Sequence, residues 1–444
     1  MNTLRALSEA LARGETASVA LLERCLEQAR EPAGEGARVF VALREAAARD
    51  AARAMDEARA RGRAPSPWAG IPLSVKDLFD LAGEVTRAGS TLLAGAPPAR
   101  ATAPAIERLV AAGFVIVGRT NMTEFAYSGV GMNPHYGTPL NPFDRSTGRI
   151  PGGSSSGAAV SVTDGMAAAG IGTDTGGSCR IPAALTGIVG YKPTAGAVPR
   201  EGVYPLSESL DSVGSLAPSV DCCAILHRIM SGDADPSPMP EPAALELAVL
   251  DHYVTADLDT TVAAVYARAL ERLERRGARL TRLELPDIET LPTLNARGGI
   301  AAAEAYAFHR DQLASHEADY DPRVGRRILA GRNVSAQELA DIRRARTGMI
   351  AAFNRAMAGF DALVCPTVPI VAPPLSAFES DDEYVRLNLL LLRNPSLFNF
   401  LDGCAISLPV HEPGTAPVGF MLAAPGGRDA HLLAVATAVE AVFS

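Results

Sequence analysis

Three short stretches hold the residues whose types and spacing could do covalent chemistry. "IPGGSSSG" (150–157) sets Ser154, Ser155 and Ser156 among glycines just after a proline, "TDTGGSCR" (173–180) puts Ser178 behind two glycines, and "IPLSVKD" (71–77) ends an apolar run on Lys76. A serine hydroxyl is a poor nucleophile until something accepts its proton. Glycines ahead of a serine let successive backbone N–H groups turn toward one point, which is what a developing oxyanion needs. Ser178 is therefore the candidate nucleophile, with Thr175, Gly176 and Gly177 as candidate oxyanion donors. Lys76 is the candidate base, because burial disfavours an ammonium and lowers the lysine pKa. A shift of about three units corresponds to roughly 4 kcal/mol, a cost that an idle surface lysine would not carry. The competing reading lets the Lys76 amine escape to solvent beside Asp77.

The serine triplet admits other readings. As a turn, its hydroxyls would cap the helix that follows. The stretch Gly153 to Gly157 also satisfies G-x-S-x-G, which would make Ser155 the nucleophile of a strand-to-helix elbow. The preceding "NPFDRSTGRIP" breaks strands, and no oxyanion loop of the H-G-G-G kind precedes it. A phosphate loop fails for want of the lysine in G-x-x-x-x-G-K-[ST]. No histidine falls in these motifs; His135 in "GMNPHYG" is the nearest and reads as a solvated or substrate-contacting side chain. The seven histidines and six cysteines (Cys25, Cys179, Cys222, Cys223, Cys365, Cys404) show neither H-x-x-x-H nor C-x-x-C spacing, so no metal site or disulfide framework is expected.

The elements that must position these side chains alternate. "GIPLSVKDLFD" reads as a strand, "PAIERLVAAG" as a helix, "FVIVGRTN" as a strand and "SSSGAAVSVTDGMAAAG" as a helix of small residues that a neighbouring backbone can approach closely. Further strands are read in "GIVGYKP", "LELAVLD", "ARLTRLELP", "DALVCPTVP", "CAISLPV" and "PVGFMLAAP", with helices in "ASVALLERCLEQAR", "VALREAAARDAARAMDEARARG", "TVAAVYARALERLERRG" and "DAHLLAVATAVEAVF". This alternation predicts an α/β fold. Proline-rich "DADPSPMPEPAA" (233–244) is the best linker candidate. Because the chemistry-bearing stretches share 72–192 with no linker between them, one domain is expected over 1–444, with N-terminal helices to 65 and an inserted subdomain at about 240–360. With 444 residues, 48% of them hydrophobic, the chain can bury a large core, and a net charge of -9 without a Lys/Arg run argues against a nucleic-acid surface. No run of about 18 apolar residues occurs, so a cytoplasmic protein with no membrane partner is expected.

Taken together, "GIPLSVKD", "PGGSSSGAAV" and "GTDTGGSCRIP" resemble the amidase signature family of serine hydrolases in order and in the 24-residue separation of Ser154 from Ser178. "GRTNMTEFA", "GTPLNPFD", "GIVGYKPTAG" and "PVGFMLAAPGGRDAHLLAVATAVE" extend the resemblance over nearly the whole chain, most densely from 70 to 196. It implies a mixed central β-sheet covered by α-helices on both faces. It also implies Ser178 as nucleophile, Ser154 after a cis peptide as the bridging serine, Lys76 as the ultimate base, Asp174 and Arg180 as braces, and no cofactor. The loop departs from the family's G-G-S-S-G-G in having Ser156 where many members have glycine. The implied substrate is a small-molecule amide, ester or carbamate (urethane), and Tyr127, Met132, His135 and Tyr136 are candidate substrate contacts. "EYVRLNLLLLRNPSLFNFLDG" reads as a buried core helix or, alternatively, as another pocket wall. Within the family, the glutaminase component of the tRNA-dependent amidotransferase is the alternative. Its S-R-Y-D-G stretch, with an arginine for the amino-acid carboxylate, is missing from "NARGGIAAAEAYAFHRDQLA", where Arg297 is a candidate substitute in a different context. Nothing in these residues decides whether the chain forms a homodimer.

Overall fold

The computed structural model describes residues 2–233 and 237–443, so part of the linker candidate, 234–236, lies outside the described residues. Among the described residues eleven strands form one sheet: β1 (Phe40–Leu43), β2 (Pro72–Lys76), β3 (Val115–Thr120), β4 (Ala169–Asp174), β5 (Val189–Lys192), β6 (Ser212–Ala217), β7 (Glu246–Val249), β8 (Arg279–Arg282), β9 (Ala362–Pro366), β10 (Cys404–Pro409) and β11 (Gly419–Ala424). Their order is β1-β3-β2-β4-β6-β5-β10-β11-β9-β7-β8. The sheet is mixed: β3-β2-β4 and β9-β7-β8 are parallel, while the strands between β4 and β9 pair antiparallel. Helices flank it, as the α/β pattern predicts.

Three strands lie outside the pattern read from the sequence, one of them β4, whose first residues Ala169 and Gly170 close the stretch read as the small-residue helix, a helix that ends at Thr163. Phe40–Leu43 falls where the helical pattern begins, yet it pairs antiparallel with β3, and the helix starts only at Glu45. "SVGSLA" (212–217) has too few large apolar residues to announce a strand, but it is fully buried between β4 and β5.

Alternation along the strands divides the core between the two faces of the sheet. Leu73, Val75, Ile116, Ile171, Ile406 and Leu422 belong to one apolar cluster. Val115 and Val117 face a second cluster with Leu22, Leu26, Ala48 and Ala52 of the N-terminal helices, and Met421 and Leu363 a third. On β2 the residues alternating with Leu73 and Val75 are Ser74 and Lys76, so the buried polar residues share the opposite face.

The helix Ser156–Thr163 lies on that face, close enough for Ser161 Oγ to reach Ser74 Oγ at 2.8 Å. Glycines permit the approach. A Cβ on Gly172 would stand 2.6 Å from Ser155 Oγ, and one on Gly157 would stand 2.6 Å from the Val39 carbonyl oxygen and 2.7 Å from the Asn121 nitrogen. Gly157→Ala therefore pits a helix-propensity gain of about 1 kcal/mol against backbone overpacking, whose cost is about 1–3 kcal/mol. Overpacking is expected to win, giving a lower urea midpoint; an unchanged or raised midpoint would show that the helix can shift away.

Candidate active site

Lys76 is the last residue of β2 and is fully buried. Its neighbour Asp77 does not draw it to solvent, because that carboxylate is occupied by Arg119 Nε at 2.7 Å and by the Gly89 N–H at 3.2 Å. Lys76 Nζ instead meets two hydroxyls, Ser154 Oγ at 2.7 Å and Thr173 Oγ1 at 2.9 Å. Burial lowers its pKa from 10.5 to about 8, against upward pulls from Cys179, Asp174 and Asp211.

Ser154 is held from both sides. The Gly153–Ser154 peptide is cis, the Ser154 carbonyl accepts from the Thr123 N–H at 3.1 Å, and the Gly153 N–H donates to the Gly129 carbonyl at 2.8 Å. A Cβ on Gly153 would sit 2.6 Å from the Gly131 nitrogen, so no larger residue fits that crossing. Ser155 is buried with its hydroxyl turned to the Thr173 carbonyl at 3.4 Å, away from the cavity described below; this geometry opposes the elbow reading. Its N–H donates to the Ser178 carbonyl at 3.3 Å, which ties the two serine loops together.

Ser178 lies between β4 and the helix Arg180–Thr186. The loop wraps around Asp174, whose carboxylate accepts from the Gly177 N–H at 2.8 Å, the Cys179 N–H at 3.1 Å, Arg180 Nη2 at 2.8 Å and Asn399 Nδ2 at 2.9 Å. Burial alone would raise the Asp174 pKa, but the Arg180 guanidinium, with Lys192 and Asn399, holds it well below the ordinary carboxylate range. Thus Asp174 and Arg180 sit as a loop-bracing pair. The same contact corrects one expectation: the Gly177 N–H is taken by Asp174, so in this conformation it does not face an oxyanion. The N–H groups of Thr175, Gly176 and Ser178 have no such acceptor within the loop and are the remaining donors. Gly177 matters in another way, with a φ of +125° and Pro395 Cβ only 2.6 Å from where its own Cβ would be. Thr175 is anchored through its hydroxyl to Asp211, a carboxylate that also accepts from the Leu206 N–H at 2.9 Å and the Ser207 N–H at 3.1 Å.

Ser178, Thr175 and Gly176 open onto a cavity of about 1000 Å³. The hydrogen-bond chain from Lys76 reaches Ser154, and no hydrogen bond continues from Ser154 Oγ to Ser178 Oγ. Such contacts often tighten only once substrate is bound. Of the expected substrate contacts, Tyr127 lines this cavity while Met132, His135 and Tyr136 do not. Met132 packs against the apolar cluster around Ile150 and Leu391. His135 is drawn aside by Glu124, its Nε2 2.8 Å from the carboxylate, and Tyr136 donates its N–H to Asn133. The helix Asp381–Phe400 fits both readings of its sequence: Leu387, Leu391 and Phe398 are buried, whereas Val385 and Leu389 are exposed along the cavity wall. Arg297 also lines the cavity, with Nη1 3.2 Å from the Asn333 carbonyl and 3.5 Å from Glu338. Among the described residues no group of three His, Cys, Asp or Glu side chains is placed to hold a metal, and no helix is long and apolar enough to cross a membrane.

A mixed sheet that sinks a lysine and two serine loops beneath one cavity is the architecture of a hydrolase of carbon–nitrogen bonds. The chain belongs to the amidase family, whose family model matches residues 20–433. It is 36% identical over 445 residues to 2-amino-5-chloromuconic acid deaminase of Comamonas testosteroni, covering 98% of this chain and 94% of that one. It is also 36% identical to the A-type subunit of the glutamyl-tRNA(Gln) amidotransferase of Chloroflexus aggregans, over 99% and 96% of the two chains. A crystal structure of an amidase superposes with a TM-score of 0.90 at 33% identity over the full length of both chains.

The lowered lysine pKa generates a prediction in rate and in stability. If neutral Lys76 is the active form, kcat/KM should rise as pH increases through about 8 and then level. The folded pKa lies below the unfolded one, so the cost of burying this amine is full below pH 8 and fades as pH approaches 10.5. Urea unfolding should accordingly show Lys76→Met gaining on the wild type by about 3 kcal/mol more at pH 7 than at high pH. A stability difference independent of pH would place the ordinary lysine pKa in the folded state.

Proposed function

We propose that the protein hydrolyses small-molecule amides through an acyl-enzyme on Ser178, with Ser154 as proton relay and Lys76 as base, and that esters and carbamates enter the same path. The observation that carries this reading is the 2.7 Å contact of the buried Lys76 amine with Ser154, directly behind the loop that presents Ser178 to the cavity. In the first half-reaction Ser178 Oγ forms a bond to the carbonyl carbon. Its proton passes to Ser154 as the Ser154 proton passes to Lys76, which becomes an ammonium. The oxyanion accepts hydrogen bonds from the free N–H groups of Thr175, Gly176 and Ser178. Collapse breaks the C–N bond, and the proton on Lys76 returns through Ser154 to the departing nitrogen. In the second half-reaction water attacks the Ser178 ester while its proton passes through Ser154 to Lys76; collapse breaks the C–Oγ bond, the proton returns through Ser154 to Ser178 Oγ, and the acid leaves with the enzyme restored.

A second reading, the glutaminase component of a tRNA-dependent amidotransferase, is favoured by the 36% identity to such a protein. It predicts glutamine hydrolysis that rises on addition of the partner subunits, whereas the stand-alone hydrolase needs none.

Ser178→Ala should lower amide and ester turnover by at least about a thousandfold, the range seen when a nucleophile is removed from an intact site. A fluorophosphonate should label Ser178 in peptide mapping; a label on Ser155 would support the elbow instead. Because an amine leaves poorly unless protonated, Lys76→Ala should suppress amides more than the matched esters. Equal losses on both would contradict the relay.

A further inference from the structure

The segment that carries Tyr127 to the cavity is a strained turn. Phe125 and Ala126 have φ values of 49° and 61°, a region that residues with a Cβ populate sparsely, so the turn persists only while its flanks are pinned. On one flank the Thr123 N–H donates to the Ser154 carbonyl at 3.1 Å. On the other, Ser128 Oγ donates to Asn388 Oδ1 at 2.9 Å and accepts from the Tyr384 hydroxyl at 2.7 Å. Between them Glu124 is buried, and its carboxylate gathers three separate segments. Oε1 accepts from Ser90 Oγ at 2.6 Å and meets His135 Nε2 at 2.8 Å, while Oε2 accepts from the Asp321 N–H at 2.6 Å. Asp321 in turn caps the helix Pro322–Ala330, its side chain accepting from the Arg323 N–H at 2.9 Å, and that helix lines the cavity. One buried carboxylate therefore holds both the Tyr127 turn and the start of a cavity-lining helix.

Among the described residues His135 is the one basic side chain within ion-pair distance of that carboxylate, and at 17% exposed its ring still exchanges protons with solvent. Protonated, it offsets Glu124 and the neighbouring Asp321 together; neutral, it leaves two buried carboxylates repelling each other across the contact that starts the helix. The Glu124 contact raises the His135 imidazole above its ordinary 6.5. Burial and Glu124 push the Asp321 carboxyl up, against pulls from Arg323 and His135. The other groups around the pair keep their charge state near neutral pH. Tyr136, Tyr204 and Tyr320 are shifted up from 10, chiefly by burial, and His309, packed on Phe125, is pushed down to about 4 by burial. Arg87 beside Tyr136 and Arg323 beside Asp321 carry the permanent charge of arginine.

We propose that Glu124 is a positioning residue of the cavity, and that His135, as its countercharge, sets how firmly the helix Pro322–Ala330 is fastened to the Tyr127 turn. His135 thus acts on substrate through the wall and not by touching it. A base whose folded pKa is raised contributes fully below its unfolded value of 6.5, and that contribution is lost as pH rises through the folded value. The wall is accordingly held in mild acid and loosened in mild alkali. The inference rests on the reading of Ser178 as nucleophile only where turnover is the readout.

The test uses the full-length protein, with backbone hydrogen exchange of the wall and hydrolysis of 4-nitrophenyl butyrate as its two readouts. In the wild type, exchange of the amides from Asp321 to Gly325, corrected for the intrinsic pH dependence of exchange, should quicken about fivefold or more between about pH 6 and about pH 9. Lys76 titrates in every variant, so the kinetic effects are read as ratios to wild type at the same pH. His135→Gln keeps a donor for Glu124 and loses the charge; its KM should exceed that of wild type about fivefold near pH 6 and match it near pH 9, with kcat moved less than about twofold. Glu124→Gln should raise exchange and KM, and adding His135→Gln to it should change neither further, because the two side chains act as one unit. A purely structural role would instead lower the urea midpoint and leave the KM ratio the same at both pH values. Should the variants fold poorly, exchange in the wild type still decides. Wild-type exchange that does not change with pH, a KM ratio equal at both pH values, or additive effects in the double variant overturns the proposal. Failure of the nucleophile reading looks different: no phosphonate label on Ser178 and no ester turnover, with the pH-dependent exchange still measurable.

Discussion

A lysine amine hydrogen-bonded to hydroxyls, with no carboxylate among the described residues in ion-pair contact, is the constraint on which the rest of the structure depends. Lys76 Nζ has Ser154 Oγ and Thr173 Oγ1 as its hydrogen-bond partners. A carboxylate about 4 Å from an ammonium would stabilise the charged form by about 4 kcal/mol at an effective dielectric of about 20, enough to return the amine to its ordinary pKa. The acids closest in the chain are each committed elsewhere: Asp77 to Arg119, Asp174 to Arg180 and Asn399, Asp211 to Thr175 and two backbone N–H groups. Arg180 therefore has two effects at once, since it braces the nucleophile loop and offsets part of the charge of the carboxylate behind it.

The fold supplies this separation through alternation and small residues. Ser74 and Lys76 lie on the β2 face away from Leu73 and Val75, and glycines on β4 and in the helix Ser156–Thr163 let that helix settle on the polar face. Both serine loops then descend at the same place and are joined by the Ser155 N–H to Ser178 carbonyl bond. The buried Asp174–Arg180 pair is better understood as positioning than as net stabilisation, because desolvation offsets most of its attraction. The cavity side is built differently, from arginine-rich helices between 299 and 400 that have no part in holding the lysine.

Much of the site is legible in the sequence because its signals are local. A charged residue closing an apolar strand, and two glycine-serine turns at a fixed separation, are visible in a linear sequence, and most sheet strands follow from apolar runs. What is not legible depends on distant partners. Thr173 and Asp211 carry no marking as supports of Lys76 and Thr175. Met132 and His135 are candidates by nearness in sequence to the serine loop, and nearness in sequence fails because Glu124 and an apolar cluster claim those side chains. Gly177 reads as an oxyanion donor because glycine permits the turn; the turn in fact delivers its N–H to Asp174. β6 gives no sequence signal for want of bulky residues.

The ionisation of Lys76 can be read directly from the Cε and Nζ resonances of isotopically labelled lysine, assigned by comparison with Lys76→Met. A midpoint near pH 8 in the signal that Lys76→Met removes, assigned in this way apart from Lys192, whose amine burial also lowers, is the expected result. A Lys76 signal that stays ammonium-like until pH 10 or beyond would contradict the account, because a base that never becomes neutral cannot take the proton of Ser178.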